Sequence, residues 1–178
     1  EVVAFHEGIP GHHQQLASAM ELGELPAFRR FGHEGAYIEG WGLYTETLVR
    51  EMNLYSDDLS RLGAWSLDAL RSCRLVVDTG LHALGWTRAQ AEAYMLAHTL
   101  ETPDFVRREV ERYLGMPAQA LTYKVGAREI LRLRERAKAA LGTQFTLPDF
   151  HDAVLGAGTI PLPILAERVE AWLAGAGK

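Results

Sequence analysis

The sequence predicts an all-α fold, and three observations lead to it. Apolar residues recur at steps of three and four along most of the 178 residues. No alternating run longer than about four residues appears, and capping residues stand where the periodic stretches begin and end. Gly23 to Gly35 reads as a loop. From Gly35 to Tyr55 the positions Tyr37, Trp41, Tyr44, Leu48, Met52 and Tyr55 define one buried stripe. Ser56 is placed to cap the next helix, with Asp57 and Asp58 in its first turn, where carboxylates favour the dipole. Its apolar side is Leu59, Leu62, Leu70, Cys73, Val77, Leu81 and Leu84, and Gly85 ends it.

Thr87 and Gln90 form a capping box for a helix through Leu96, and Thr102-Pro103 starts another that stops at Gly115. After Pro117, Ile130, Leu133, Ala137 and Leu141 mark a long helix that ends at Gly142. Thr146 and Asp149 open a short helix over Phe150 to Leu155. A Gly/Pro-rich loop, Gly156 to Pro163, leads into a last helix carrying Leu165, Val169 and Trp172. Residues 1–178 are expected to form a single helical domain. Because the chain starts at Glu1 without Met and runs straight into a motif, it is expected to be a piece of a longer protein whose upstream portion is missing.

A hydrophobic content of 48% is enough for a core without cross-links, and a net charge of -5 gives no reason to expect nucleic acid or an anionic membrane as partner. The basic cluster Arg128 to Lys138 alternates with Leu131, Leu133 and Glu135 and reads as the solvated face of a helix. Cys73, the only cysteine, sits in an apolar register and is expected to be a buried thiol. No stretch has the length needed for a transmembrane helix. The compartment stays open between cytoplasmic and exported, since any signal would lie upstream.

The chemistry begins at Phe5-His-Glu-Gly-Ile-Pro-Gly-His-His13. It looks like H-E-x-x-H, which puts two imidazoles on one helix face to share a metal while the Glu polarises water. The fourth position after His6 is Pro10, however, and the next histidines are His12 and His13. A straight helix would separate His6 from His13 by about 10 Å along its axis, so one ion requires a break. Gly8, Pro10 and Gly11 are the residues a break would use. A two-residue expansion brings His12 to the second ligand position, and His13, which needs three extra residues, is the alternative.

Glu39 lies 27 positions after His12 in Tyr37-Ile-Glu-Gly-Trp-Gly-Leu-Tyr-Thr-Glu46. Gluzincin-type sites take a third ligand from a Glu on the following helix. Gly40 and Gly42 each cost about 1 kcal/mol against alanine inside a helix, which suggests close approach of another backbone. Glu39 and Glu46 are seven apart on one face, so one is suited to bind metal and the other to accept a hydrogen bond from a ligand imidazole. The bland readings are a polar turn for the histidines and a solvent-facing acidic stripe for the glutamates. His33 and His98 read as surface residues. Arg74, Asp78 and His82 fall at four-residue steps and read as a polar network packing their helix against the Glu39 helix, with Asp78 facing Arg74 or His82.

Together with Arg74-Leu-Val-Val-Asp-Thr-Gly-Leu-His82, Gly85-Trp86, Tyr123-Lys-Val-Gly126, Phe150-His-Asp and Pro161-Leu, these motifs resemble, in order, the C-terminal part of the bacterial family called domain of unknown function 885. That family looks similar to helical zinc peptidases of the thimet oligopeptidase and carboxypeptidase Taq groups. The resemblance implies one Zn²⁺ per chain held by His6, His12 or His13, and Glu39, with Glu7 as general base. It also implies Tyr123 and His151 as donors to the oxyanion, because related peptidases place Tyr and His there from a late segment.

The expected function is therefore a zinc-dependent peptidase acting on short peptides, with the isolated piece possessing only part of the cleft. Two alternatives stand beside it: a metal-binding helical protein without peptidase activity, and a non-catalytic scaffold with a degenerate site. A carboxylate-bridged iron protein would need paired Glu-x-x-His motifs, and none occurs here.

Overall fold

The computed structural model describes residues 1–176, and every regular element in them is helical, with no strand among the described residues. Helix α1 (Val2–Glu7) stops at Gly8, and α2 (His12–Glu21) starts afresh after Gly11. A cis Ile9–Pro10 peptide lies between them. A Cβ at position 11 would run into the carbonyl oxygens of Phe5 and His6, so α2 begins against the end of α1 only because that residue has no side chain. The Trp41 indole donates to the Pro10 carbonyl at 2.9 Å and pins the break to the helix beneath it.

Within the segment read as a loop, one helical turn forms, α3 (Ala27–Arg30). It is tied down twice: Arg30 donates to the Met20 carbonyl at 2.8 Å, and the Thr159 N–H donates to the Arg29 carbonyl at 2.8 Å. Helix α4 (Gly35–Glu51) is the central element and is buried almost all round from Tyr37 to Val49. It ends earlier than its stripe suggested. Met52 is exposed, while Tyr55 returns to the core from beyond the helix and donates its hydroxyl to the Glu46 carbonyl at 3.2 Å.

Helix α5 (Asp58–Ala83) is capped by Asp57, whose side chain accepts from the Ser60 N–H at 2.7 Å; the predicted cap, Ser56, instead bonds the Glu1 carboxylate. Leu70, Cys73 and Val77 are buried as the register predicts, but Leu59, Leu62 and Leu84 are exposed. In its first turns the core-facing residue is Ala64. Leu62 lies about 200° round the helix from it and Leu59 about 140°, so neither shares its face. Helices α6 (Arg88–His98), α7 (Pro103–Gly115), α8 (Thr122–Leu141) and α9 (Leu147–Leu155) follow in the predicted order, with Thr87, Thr102 and Thr146 each capping as expected, and α10 (Leu162–Ala176) begins two residues inside the predicted loop. No helix among the described residues is long and apolar enough to cross a membrane.

The largest core joins α4, α8, α9 and α10 through Trp41, Tyr44, Ile130, Leu133, Phe150 and Leu165. Helices α4 and α8 meet backbone to backbone: a Cβ on Gly40 would lie 2.5 Å from the Gly126 Cα, and one on Gly126 would strike the Ala36 carbonyl. A second core unites α5, α6 and α7.

The Arg74, Asp78 and His82 face is structural, but it points elsewhere than predicted. Arg74 donates to Glu109 at 2.8 Å and to the Tyr113 hydroxyl at 3.0 Å, and the His82 Nε2 lies 3.0 Å from the Tyr113 carbonyl. Asp78 accepts from the Ala118 N–H at 3.1 Å. These residues fasten α5 to α7 and to the turn before α8, not to α4. The basic face of α8 needs a correction too, because Arg134 is buried and pairs with Glu51 at 2.6 Å.

Candidate metal centre

The break between α1 and α2 folds the seven-residue stretch from His6 back on itself. His6 stands in the last turn of α1 and His12 opens α2, so their rings meet edge to face with centroids 4.6 Å apart. Both lie over α4 at Gly42. A Cβ there would stand 2.7 Å from the His6 Cε1 and 2.8 Å from the His12 Cε1. One residue type explains the seat: only glycine leaves room for two imidazoles.

Glu39 reaches the same point from α4. Its Oε2 is 3.4 Å from the His12 Nε2 and 3.7 Å from the His6 Nε2, and the three ligand atoms lie within 4.8 Å of one another. Tetrahedral zinc with bonds of about 2.0–2.1 Å separates its ligand atoms by about 3.3–3.4 Å, so this donor set fits the ion. His13, the alternative second ligand, is exposed and is not part of the cluster.

The far nitrogen of each ring is also engaged. The His6 Nδ1 lies 2.8 Å from the Glu46 Oε1, which in turn is 3.4 Å from the Arg71 Nη2. The His12 Nδ1 lies 3.4 Å from the Gln15 Oε1, and the Gln15 amide donates to the Tyr37 carbonyl at 3.4 Å. Such partners fix the tautomer and leave each Nε2 facing the cluster. Burial pulls the His6 imidazole down, but the Glu39 and Glu46 carboxylates override it and raise its pKa to about 9. Burial pushes Glu39 up, and hydrogen bonds from His12 and His6, then Tyr123, bring it down to about 2. The cluster as it stands therefore holds a proton on a histidine against an ionised carboxylate, a charge pattern that a cation can replace.

Glu7, exposed, shares with His12 and Glu39 a groove of about 480 Å³. Tyr123 stands beside the centre, its ring 6.5 Å from that of His6 and flanked by the Arg74 guanidinium at 4.7 Å and that of Arg71 at 5.8 Å. His151 is not one of the clustered residues. Its Nε2 is 2.8 Å from the Tyr44 hydroxyl and its ring meets the edge of Trp41. Burial, then the charge of Arg134, lowers its pKa to about 4, so it is neutral at neutral pH.

Sequence reasoning missed Gln15 and Arg71. Gln15 had a signal, the three-residue step from His12 on one helix. Arg71 had none, being brought to Glu46 by the packing of α5.

Fold and site define an all-helical domain with a His-His-Glu cluster whose imidazoles are steadied from behind. The family model described as "Bacterial protein of unknown function (DUF885)" matches residues 1–169, and the chain belongs to this family. It is similar to the crystal structure of a "putative lipoprotein from Colwellia psychrerythraea", at 45% identity and a TM-score of 0.95 over 98% of this chain. It is also similar to a "putative lipoprotein of unknown function from Shewanella oneidensis", at 27% identity and a TM-score of 0.85 over 93% of this chain. The match spans 30% of the length of each of those two chains. No curated protein matches.

Proposed function

We propose that the chain carries the metal centre and general base of a gluzincin-like zinc peptidase acting on short peptides. The observation that supports this reading most is the convergence of His6, His12 and Glu39 from three helices, with Glu7 in the adjoining groove. When bound, zinc supplies a Lewis acid that activates water and polarises the peptide carbonyl. Glu7 takes the proton from the attacking water and passes it to the leaving amine. Tyr123 is the better placed of the two expected donors to the developing oxyanion, since its ring lies beside the cluster, 6.5 Å from that of His6, whereas the His151 Nε2 is engaged with the Tyr44 hydroxyl. Glu46, backed by Arg71, keeps the His6 Nε2 turned toward the centre.

The test is metal analysis of the purified chain. One equivalent of zinc is expected in the unaltered protein and in His13→Ala, and its loss in His6→Ala and in Glu39→Ala. Undiminished metal in His6→Ala would overturn the ligand set.

Zinc must also displace the proton on the His6 Nε2, which faces Glu39, while the one on Nδ1 stays with Glu46. Below the His6 pKa of about 9 each pH unit down should weaken zinc binding about tenfold, and the slope should flatten above that value. Competition with a chromophoric chelator between about pH 6.5 and 8.5 measures this, and a flat profile would contradict it.

A further inference from the structure

We propose that the groove beside the centre is the subsite for a large, uncharged apolar side chain of the peptide, next to the bond that is cleaved; this rests on the peptidase reading above. His12, Leu16 and Met20 fall at successive four-residue steps on α2, so the face that begins at the candidate ligand continues as an apolar stripe. Phe31, just after α3, and Ile38, next to Glu39 on α4, complete the groove of about 480 Å³. The bond from Arg30 to the Met20 carbonyl holds α3 in place as its wall. Leu16, Met20 and Phe31 are 41%, 54% and 66% exposed and line this one groove together with His12 and Glu39, a concave apolar wall beside convergent polar groups.

Charge narrows the class. The carboxylates of the groove, Glu7 and Glu39, stand with His12 at the centre, whereas Arg30, bonded to the Met20 carbonyl two turns along α2, lines its far end. A lysine or arginine side chain reaching that end would meet the like charge of Arg30. An aliphatic or aromatic side chain would find contacts with Leu16, Met20, Phe31 and Ile38 along its length.

The test uses amino-acid hydroxamates, whose head group chelates zinc and whose side chain reports on the subsite. Their affinities for the zinc-loaded chain are measured by calorimetry, with zinc content determined in every sample. Phenylalanine hydroxamate is expected to bind about tenfold or more tightly than glycine hydroxamate, from burial of the ring. Arginine hydroxamate is expected to show no such gain. In Met20→Ala/Phe31→Ala, and in the single Phe31→Ala should the double variant not fold, the preference is expected to shrink while zinc content holds. Equal affinities in the unaltered protein, or a preference that survives both variants, would overturn the subsite but leave the metal centre standing. A chain that holds no zinc and binds no hydroxamate would overturn the peptidase reading, and the subsite with it.

Discussion

Glu7→Gln is expected to leave fold and zinc content unchanged and to lower peptide hydrolysis by about 10²- to 10⁴-fold, the usual loss for a general base. The substitution keeps the size of the side chain and removes its ability to take a proton. Glu7 lies in the groove but outside the ligand cluster, so metal stoichiometry should not respond to it. Because the match covers only 30% of the similar solved chains, turnover is to be measured in a full-length protein carrying this domain, with short peptides followed by mass spectrometry. Equal cleavage by both forms would remove Glu7 from the mechanism. Zinc in both forms with cleavage by neither would make a metal-binding protein without peptidase activity the better reading.

Gly42→Ala is expected to weaken zinc binding by about 100-fold while the helices stay intact, an effect of the size seen when the surroundings of metal ligands are disturbed. The added methyl would sit 2.7 Å from the His6 ring and 2.8 Å from the His12 ring. His6 cannot turn away cheaply, since its Nδ1 is held by Glu46 and Glu46 by Arg71. The rings must spread, and with them the atoms that would share one ion. Alanine favours the helix by about 1 kcal/mol over glycine, which offsets part of the crowding in the metal-free protein. Circular dichroism should thus be unchanged while affinity falls; unchanged affinity would show that the seat at Gly42 does not matter.

Much of the fold was legible because helix ends are written locally. Thr87, Thr102 and Thr146 each needed only a residue three positions on to act as caps. Where two capping residues are neighbours, local rules do not choose: Ser56 was claimed by Glu1 and the cap passed to Asp57. The break at Gly8 to Gly11 could be read because one ion cannot join His6 and His12 along a straight helix. The glycines of α4 were read half correctly. Gly40 does meet another backbone, at Gly126, but at Gly42 the visitors are two imidazoles. The partners of Arg74, Asp78 and Arg71 depend on which helices become neighbours, and no spacing in the chain carries that information.

The contact between Gly40 and Gly126 also divides the centre mechanically. Where backbones touch directly no side chain stands between the helices, so α4 and α8 form one closely packed pair. Glu39, Glu46 and Tyr123 ride on that stiff bed. His6, Glu7 and His12 ride on two short helices joined by a four-residue break and moored to the bed at Trp41 and Pro10. The centre thus has two supports, the break between α1 and α2 for the histidines and the α4–α8 pair for the carboxylates and Tyr123.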